Sequence, residues 1–259
     1  MQQIRSKFLL GAAFVAALLS GCGGGGGGST AAPAPTMGAA EGVYSGTSTG
    51  GTSSAFTLLI LENGDYWDLY GTRTGAVLSV VGIVQGTGTS NNGAFTSSNA
   101  KDFGSVPAVS ATVSATYNTT AQTINGTLSA SAGTISFTGG PATGSLYNYA
   151  TPATLSSISG AWTTTSTSGE SIAINVAGTG TFTAVGASGC RFSGTITPRA
   201  SGKNVFNTTM TFGTAPCGLP NQTASGIAVV YPLASGQTQV IFAQVDSTRS
   251  FGSAAFGTR

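Results

Sequence analysis

Val205-Phe206-Asn207-Thr208-Thr209-Met210-Thr211-Phe212 puts Phe206, Thr208, Met210 and Phe212 on one side of an extended chain and Asn207, Thr209 and Thr211 on the other. A period of two is what a strand shows when one face is buried and the other meets water. The run 191–197 precedes it across Ala200-Ser201-Gly202-Lys203, and the pair reads as an antiparallel hairpin. Cys190 and Cys217 sit just outside the two open ends of that hairpin. A strand pair brings such positions to the Cα separation that a disulfide needs.

Outward from this hairpin the same grammar continues. Strand-like runs at 160–162, 171–176, 181–185, 227–231, 239–245 and 251–256 complete a series in the second half of the chain. The first half carries its own series. Gly42-Val43-Tyr44 begins it, and Phe56, Leu58 and Ile60 alternate with Thr57, Leu59 and Leu61. Asn63-Gly64 supplies a hairpin turn, and the chain returns through Tyr66-Trp67-Asp68-Leu69-Tyr70. Runs at 77–85, 94–96, 109–117, 123–130 and 134–138 follow, separated by Gly, Asn or Ser-rich turns. No stretch has a helical period. Gly160-Ala161-Trp162 echoes Gly42-Val43-Tyr44 at an offset of 118 residues, so the two series look like diverged copies. The boundary falls in 149–159, where Pro152 and a Thr/Ser-rich stretch interrupt the alternation.

Each series has about eight short strands joined by tight turns. An open sheet of that kind exposes two edges, and these strands lack the charges and prolines that guard edges; closure removes the problem. The expected fold is all-β, two tandem small antiparallel β-barrels, with a pair of β-sandwiches as the alternative. A transmembrane barrel is disfavoured by the short strands and by the lack of an aromatic girdle. The domain plan is a leader over 1–21, a tether over 22–40, a first barrel over 41–149 and a second, disulfide-bearing barrel over 150–259.

Composition narrows the function classes. Only 6% of residues are charged but 40% are hydrophobic, which argues for a folded chain with a hydroxyl-rich surface rather than for disorder. Histidine is absent, removing the commonest general base and the commonest metal ligand. Without Arg5 and Lys7 of the leader, the basic and acidic residues balance, and no basic stripe remains for nucleic acid. No cofactor motif is present.

Arg5 and Lys7 precede an apolar run from Phe8 to Leu19, too short for an ordinary membrane span. Leu18-Leu19-Ser20-Gly21-Cys22 follows, and it resembles the lipobox of bacterial lipoproteins. That resemblance implies diacylglyceryl transfer to Cys22, cleavage before it and acylation of the freed amine. Gly23, in place of aspartate, implies export to the outer membrane. The compartment is then oxidising, which favours Cys190–Cys217 as a structural disulfide. The glycine run to Gly28, with Pro33 and Pro35, reads as a tether with a reach of roughly 20–25 Å.

Several short patterns look like chemistry. Gly46-Thr47-Ser48-Thr49-Gly50 matches a hydrolase elbow but lacks a histidine partner and a following helix, so it reads as a loop. Ser98-Asn99-Ala100-Lys101 matches Ser-x-x-Lys without its companion elements and reads as a solvated turn, with Lys101 paired to Asp102. Glu62, Asp65 and Asp68 lack the spacing of a calcium loop, and Asp65 and Asp68 should face opposite ways. Tyr66, Trp67 and Tyr70 form the densest aromatic group. They are the candidate partner-binding residues, although alternation turns Trp67 away from the two tyrosines.

Phe95 to Phe103, and the Cys190–Cys217 hairpin with its Thr197-Pro198-Arg199 turn, resemble Gly/Thr-rich lipoproteins of Gram-negative bacteria. That resemblance implies no particular activity. In architecture alone the expected barrels are similar to those of surface lipoproteins that bind host factor H or transferrin. The expectation is therefore a non-enzymatic, lipid-anchored outer-membrane lipoprotein without metal or cofactor. It binds an unidentified protein or serves a structural role in the envelope; alternatively it is a lipocalin-like carrier of a small apolar ligand.

Overall fold

The first sheet contains β1 (Gly42–Thr49), β2 (Ala55–Ile60), β3 (Asp65–Thr74), β4 (Val77–Thr87), β5 (Thr89–Asn91), β6 (Ala94–Asp102), β7 (Val109–Asn118), β8 (Thr123–Ala130) and β9 (Gly133–Gly140). The computed structural model describes residues 37–142 and 144–259; the leader, Cys22 and all but the end of the expected tether lie outside the described residues. Neighbouring strands are antiparallel in the order β4-β3-β2-β1-β9-β8-β7-β6-β5. A further pairing of β4 with β6, through Val84–Asp102 and Gln85–Lys101, closes the ring over eight strands. The short β5 carries the line of β4 past Gly88 along the same neighbour, β6.

The second sheet is a closed barrel of β10 (Gly160–Ser166), β11 (Ser171–Val176), β12 (Thr181–Gly186), β13 (Arg191–Pro198), β14 (Phe206–Phe212), β15 (Thr223–Pro232), β16 (Thr238–Asp246) and β17 (Gly252–Thr258). The hairpin read from 191–212 is in place, with Phe192 opposite Phe212 and Ile196 opposite Thr208. Its flanking cysteines form the disulfide, with Cα atoms 4.5 Å apart. A single helical turn, α1 (Leu155–Ile158), lies in the segment read as a boundary, and it is too short to show a period in sequence. Among the described residues no helix is long and apolar enough to cross a membrane.

Each barrel is stoppered at one end by the residues that precede its first strand. In the first, Ala40 is fully buried, the Tyr44 hydroxyl donates to its carbonyl at 2.9 Å, and the Tyr117 hydroxyl donates to the Gly38 carbonyl at 2.7 Å. In the second, Ile158 is fully buried and the Trp162 indole N–H donates to its carbonyl at 2.6 Å. These are the same positions at the 118-residue offset: Ala40 and Ile158, Tyr44 and Trp162. Gly42 and Gly160, between plug and aromatic, both have φ in the left-handed region (141° and 103°), where a side chain would be strained. Arg259 completes the second plug, its guanidinium 3.7 Å over the Trp162 ring and bonded to the Ser157 and Ser159 carbonyls.

Alternation sorts the apolar residues into three cores. Tyr44, Phe56, Leu58, Tyr66, Phe95 and Ile124 fill the first lumen, and Trp162, Ile174, Phe182, Phe206, Val230 and Phe242 line the second. The third core belongs to both barrels. Leu59, Trp67, Leu69 and Ile83 on the outside of the first pack with Ile227, Val229, Tyr231 and Ile241 on the outside of the second. Strands β2 and β16 are accordingly buried along nearly their whole length.

Candidate functional site

The second barrel encloses a cavity of about 410 Å³. Its open end is formed by the loops after β10, β12, β14 and β16, and α1 plugs the opposite end of the barrel. Phe182, Phe192, Met210, Phe212 and Phe242 make the wall, because inward positions on these strands alternate with outward threonines and serines. Polar groups are few. Gln244 donates to Thr208 Oγ1 while its own Oε1 is buried and unpartnered. At the rim, Glu170 accepts from the Ser188 hydroxyl and N–H, which lower its pKa below the usual carboxylate value. Asp246 holds the 247–251 turn. Burial pushes its pKa up, but donation from Thr248 and from the backbone N–H groups of Phe251, Thr248 and Ser250 outweighs this and lowers it. The disulfide ties two rim loops together, with Cys190 lining the cavity.

The first barrel has a smaller cavity of about 110 Å³, entered past Ser48 and Ser53 at the loop between β1 and β2. Tyr66, Asp68 and Tyr70 face it from β3, with Asp102 from β6. Tyrosines fit here because glycines stand opposite them: Tyr66 pairs with Gly86 and Tyr70 with Gly82, where any Cβ would collide with the ring. The Tyr66 hydroxyl donates to Ser97 Oγ at 3.1 Å, and the Tyr70 hydroxyl donates to Asp102 Oδ1 at 2.6 Å. Asp102 Oδ1 also accepts from the Gly104 N–H at 2.8 Å. Asp68 retains some accessible area because it borders the cavity, but its Oδ1 is shut off from solvent and has no hydrogen-bond partner. Burial, and then the Asp102 charge, push the Asp68 carboxyl up to about 8.

The expected aromatic surface is corrected by this placement. Tyr66 and Trp67 are buried and Tyr70 is half-buried, so the three do not form an outward patch. The two tyrosines line the first lumen and Trp67 lies in the shared core, as alternation implied. Gly46 to Thr49 belong to β1 rather than to a loop. Ser98 to Lys101 lie in β6, across an irregularity between Ser97 and Ala100, and not in a free turn. Lys101 donates to the Arg249 carbonyl at 2.9 Å instead of pairing with Asp102. Of the acidic group, Glu62 pairs with Arg199 of the second barrel at 2.7 Å, Asp65 accepts from Asn63 and Thr87, and Asp68 alone enters a lumen. Among the described residues no three His, Cys, Asp or Glu side chains gather as a metal site.

Sequence reading passed over Asp68 and Asp102 as site residues. One signal was present: Asp68 shares its face with Tyr66 and Tyr70, so a carboxyl stands in the middle of an inward aromatic row. Gln244 left a similar trace between Phe242 and Asp246.

Neither a family model nor a curated protein sequence matches the chain. Among solved structures, a protein of unknown function from the DUF3598 family of Nostoc punctiforme is similar at 10% identity. The match covers 84% of this chain and 93% of that one, with a TM-score of 0.23, too low to carry fold or function across.

Proposed function

We propose that this protein is a lipid-anchored, non-catalytic binding protein of the outer membrane that holds a small, largely apolar molecule in its second barrel. The observation that carries the reading is the cavity of about 410 Å³, walled by aromatic and aliphatic side chains and bordered by the rim loops. Ligand sites of this size are mainly apolar, with a few polar groups that orient the guest. Gln244 is suited to that task, since its free Oε1 accepts a hydrogen bond and is otherwise left unpaired. The loss of Tyr66, Trp67 and Tyr70 as a surface patch weakens the alternative of a protein partner held by aromatics.

The anchor rests on the lipobox resemblance of Leu18-Leu19-Ser20-Gly21-Cys22. Native mass spectrometry of protein purified without denaturant should find added mass on the folded chain. An apolar fluorescent probe should bind saturably, and Ala224→Trp, which fills the cavity from β15, should abolish that binding. No added mass together with probe binding unchanged by Ala224→Trp would remove the carrier reading. Cys22→Ala should move folded protein to the soluble fraction; retention on membranes through a salt wash would remove the anchor.

A further inference from the structure

We propose that the first barrel is a second, independent binding site, selective for a small organic ammonium ion with an apolar body, such as a short alkylamine. The cavity between β1–β2 and Asp68 is lined by aliphatic and aromatic side chains, and its charged lining residues are two carboxyls with no Lys or Arg. A buried polar atom without a partner is costly and rare in folded proteins. Here the unpartnered atom is Asp68 Oδ1. The donors at the floor are already committed: Tyr66 to Ser97, and Tyr70 and the Gly104 N–H to Asp102 Oδ1. What is missing beside Asp68 is a hydrogen-bond donor, and in an environment of two carboxyls a positively charged donor is preferred over a neutral one.

Size limits the guest. A cavity of about 150 Å³ takes one benzene molecule, so about 110 Å³ is too small for a ring and suits a short alkyl chain ending in an amine. The aromatic walls, Phe56, Tyr66 and Phe95 among them, also favour a cation over a neutral group. A divalent metal is poorly served, because calcium takes at least six oxygens and only two carboxyls are present. Catalysis by the carboxyl pair is disfavoured for a different reason: so small and apolar a lumen leaves no room for both a substrate and an attacking water.

The pH dependence follows from the same groups. Those facing Asp68 are Asp102 on β6 and Tyr66 and Tyr70 on its own strand. Arg249 lies at the β4–β6 seam, where its Nη2 donates to the Gln85 and Asn99 carbonyls. With its carboxyl pushed up to about 8, Asp68 is mostly protonated at neutral pH. An ammonium ion pairs with the ionised form, so its binding releases that proton to solvent. Affinity should rise about tenfold per pH unit up to about pH 8 and then level off.

The test compares n-butylamine with its near-isostere 1-butanol by calorimetry in two buffers of different ionisation enthalpy. The amine should bind at least tenfold more tightly at pH 8 and release close to one proton at pH 7. Asp68→Asn should remove both the preference and the proton release. Its fold, checked by circular dichroism, should be intact, and Ala224→Trp in the other barrel should leave amine binding unchanged. Equal binding of amine and alcohol, binding without proton release, tighter binding of calcium than of amine, or amine binding lost in Ala224→Trp but kept in Asp68→Asn would each overturn the proposal.

Discussion

Asp68 is the residue at which folding and binding pull in opposite directions. Its folded pKa of about 8 lies above the unfolded value of about 4. Between those values the folded chain keeps a proton that the unfolded chain has lost, so stability falls as pH rises from about 4 to about 8. Glu62 and Asp246 act in the reverse sense. Burial raises the pKa of each, but hydrogen bonds from Arg199 to Glu62 and from Thr248 and backbone N–H groups to Asp246 prevail and lower it. Their contribution is present above the ordinary carboxylate range and disappears as pH falls below it. The unfolding midpoint should therefore peak on the acid side of neutrality, near pH 4–5. Asp68→Asn should flatten the alkaline slope and gain about 2–4 kcal/mol at pH 7, the linkage free energy of that one carboxyl. Denaturant melts of both proteins at pH 5 and pH 8 decide the matter, and an unchanged slope in the variant would show that Asp68 is not the buried acid. The alternation around Tyr66-Trp67-Asp68-Leu69-Tyr70 made the side-chain directions legible in sequence. It did not reveal Asp102 as the neighbour of Asp68, because that proximity depends on the β4–β6 closure, thirty-odd residues away along the chain.

At the scale of elements, the strands were legible because a half-buried strand writes a period of two into its sequence, and turn residues mark its ends. Val205 to Phe212 is the plainest case, and the hairpin that it forms brings its flanking cysteines together. The bridge closes a separation of 27 residues, so on the chain-entropy account it contributes roughly 3–4 kcal/mol. Cys190→Ser paired with Cys217→Ser should lose about that much in a urea melt. It should also loosen the rim of the second cavity, raising the dissociation rate of a bound apolar probe more than its association rate. The plugs left a weaker trace. Gly-Val-Tyr and Gly-Ala-Trp announced the repeat, but α1 is one turn long and no pattern distinguishes such a turn from a linker. Ile158→Ala removes a fully buried side chain from the closed end of the second barrel and should cost about 2–5 kcal/mol. A loss below about 1 kcal/mol would mean that α1 lies on the barrel without closing it.

At the scale of the whole molecule, the shared core makes the two barrels depend on each other, and this was the part least legible in sequence. Leu58-Leu59-Ile60-Leu61 and Val240-Ile241-Phe242-Ala243 break strict alternation because both faces of β2 and β16 are covered, one by a lumen and the other by the neighbouring barrel. Read singly, each run is an ordinary strand; read together, they mark two outer faces that bury one another. Glu62–Arg199 and Glu41–Lys203 bridge the barrels at the edge of that core, and Arg249 reaches from the second barrel to carbonyls at the seam of the first. Exposed pairs of this kind contribute little, so the apolar face must dominate. The intact protein should then unfold in one calorimetric transition. Trp67→Ala takes an indole out of the middle of the shared core and should cost about 3–5 kcal/mol. Because the barrels keep separate lumens, that loss should split the transition in two. Tyr231→Phe supplies the control at the same interface. Its hydroxyl is buried without a partner, so removing it should leave the midpoint unchanged or raise it by up to about 1 kcal/mol, with the single transition preserved. Two transitions in the unaltered protein, or one transition surviving in Trp67→Ala at little cost, would mean that the barrels are stable alone and merely touch.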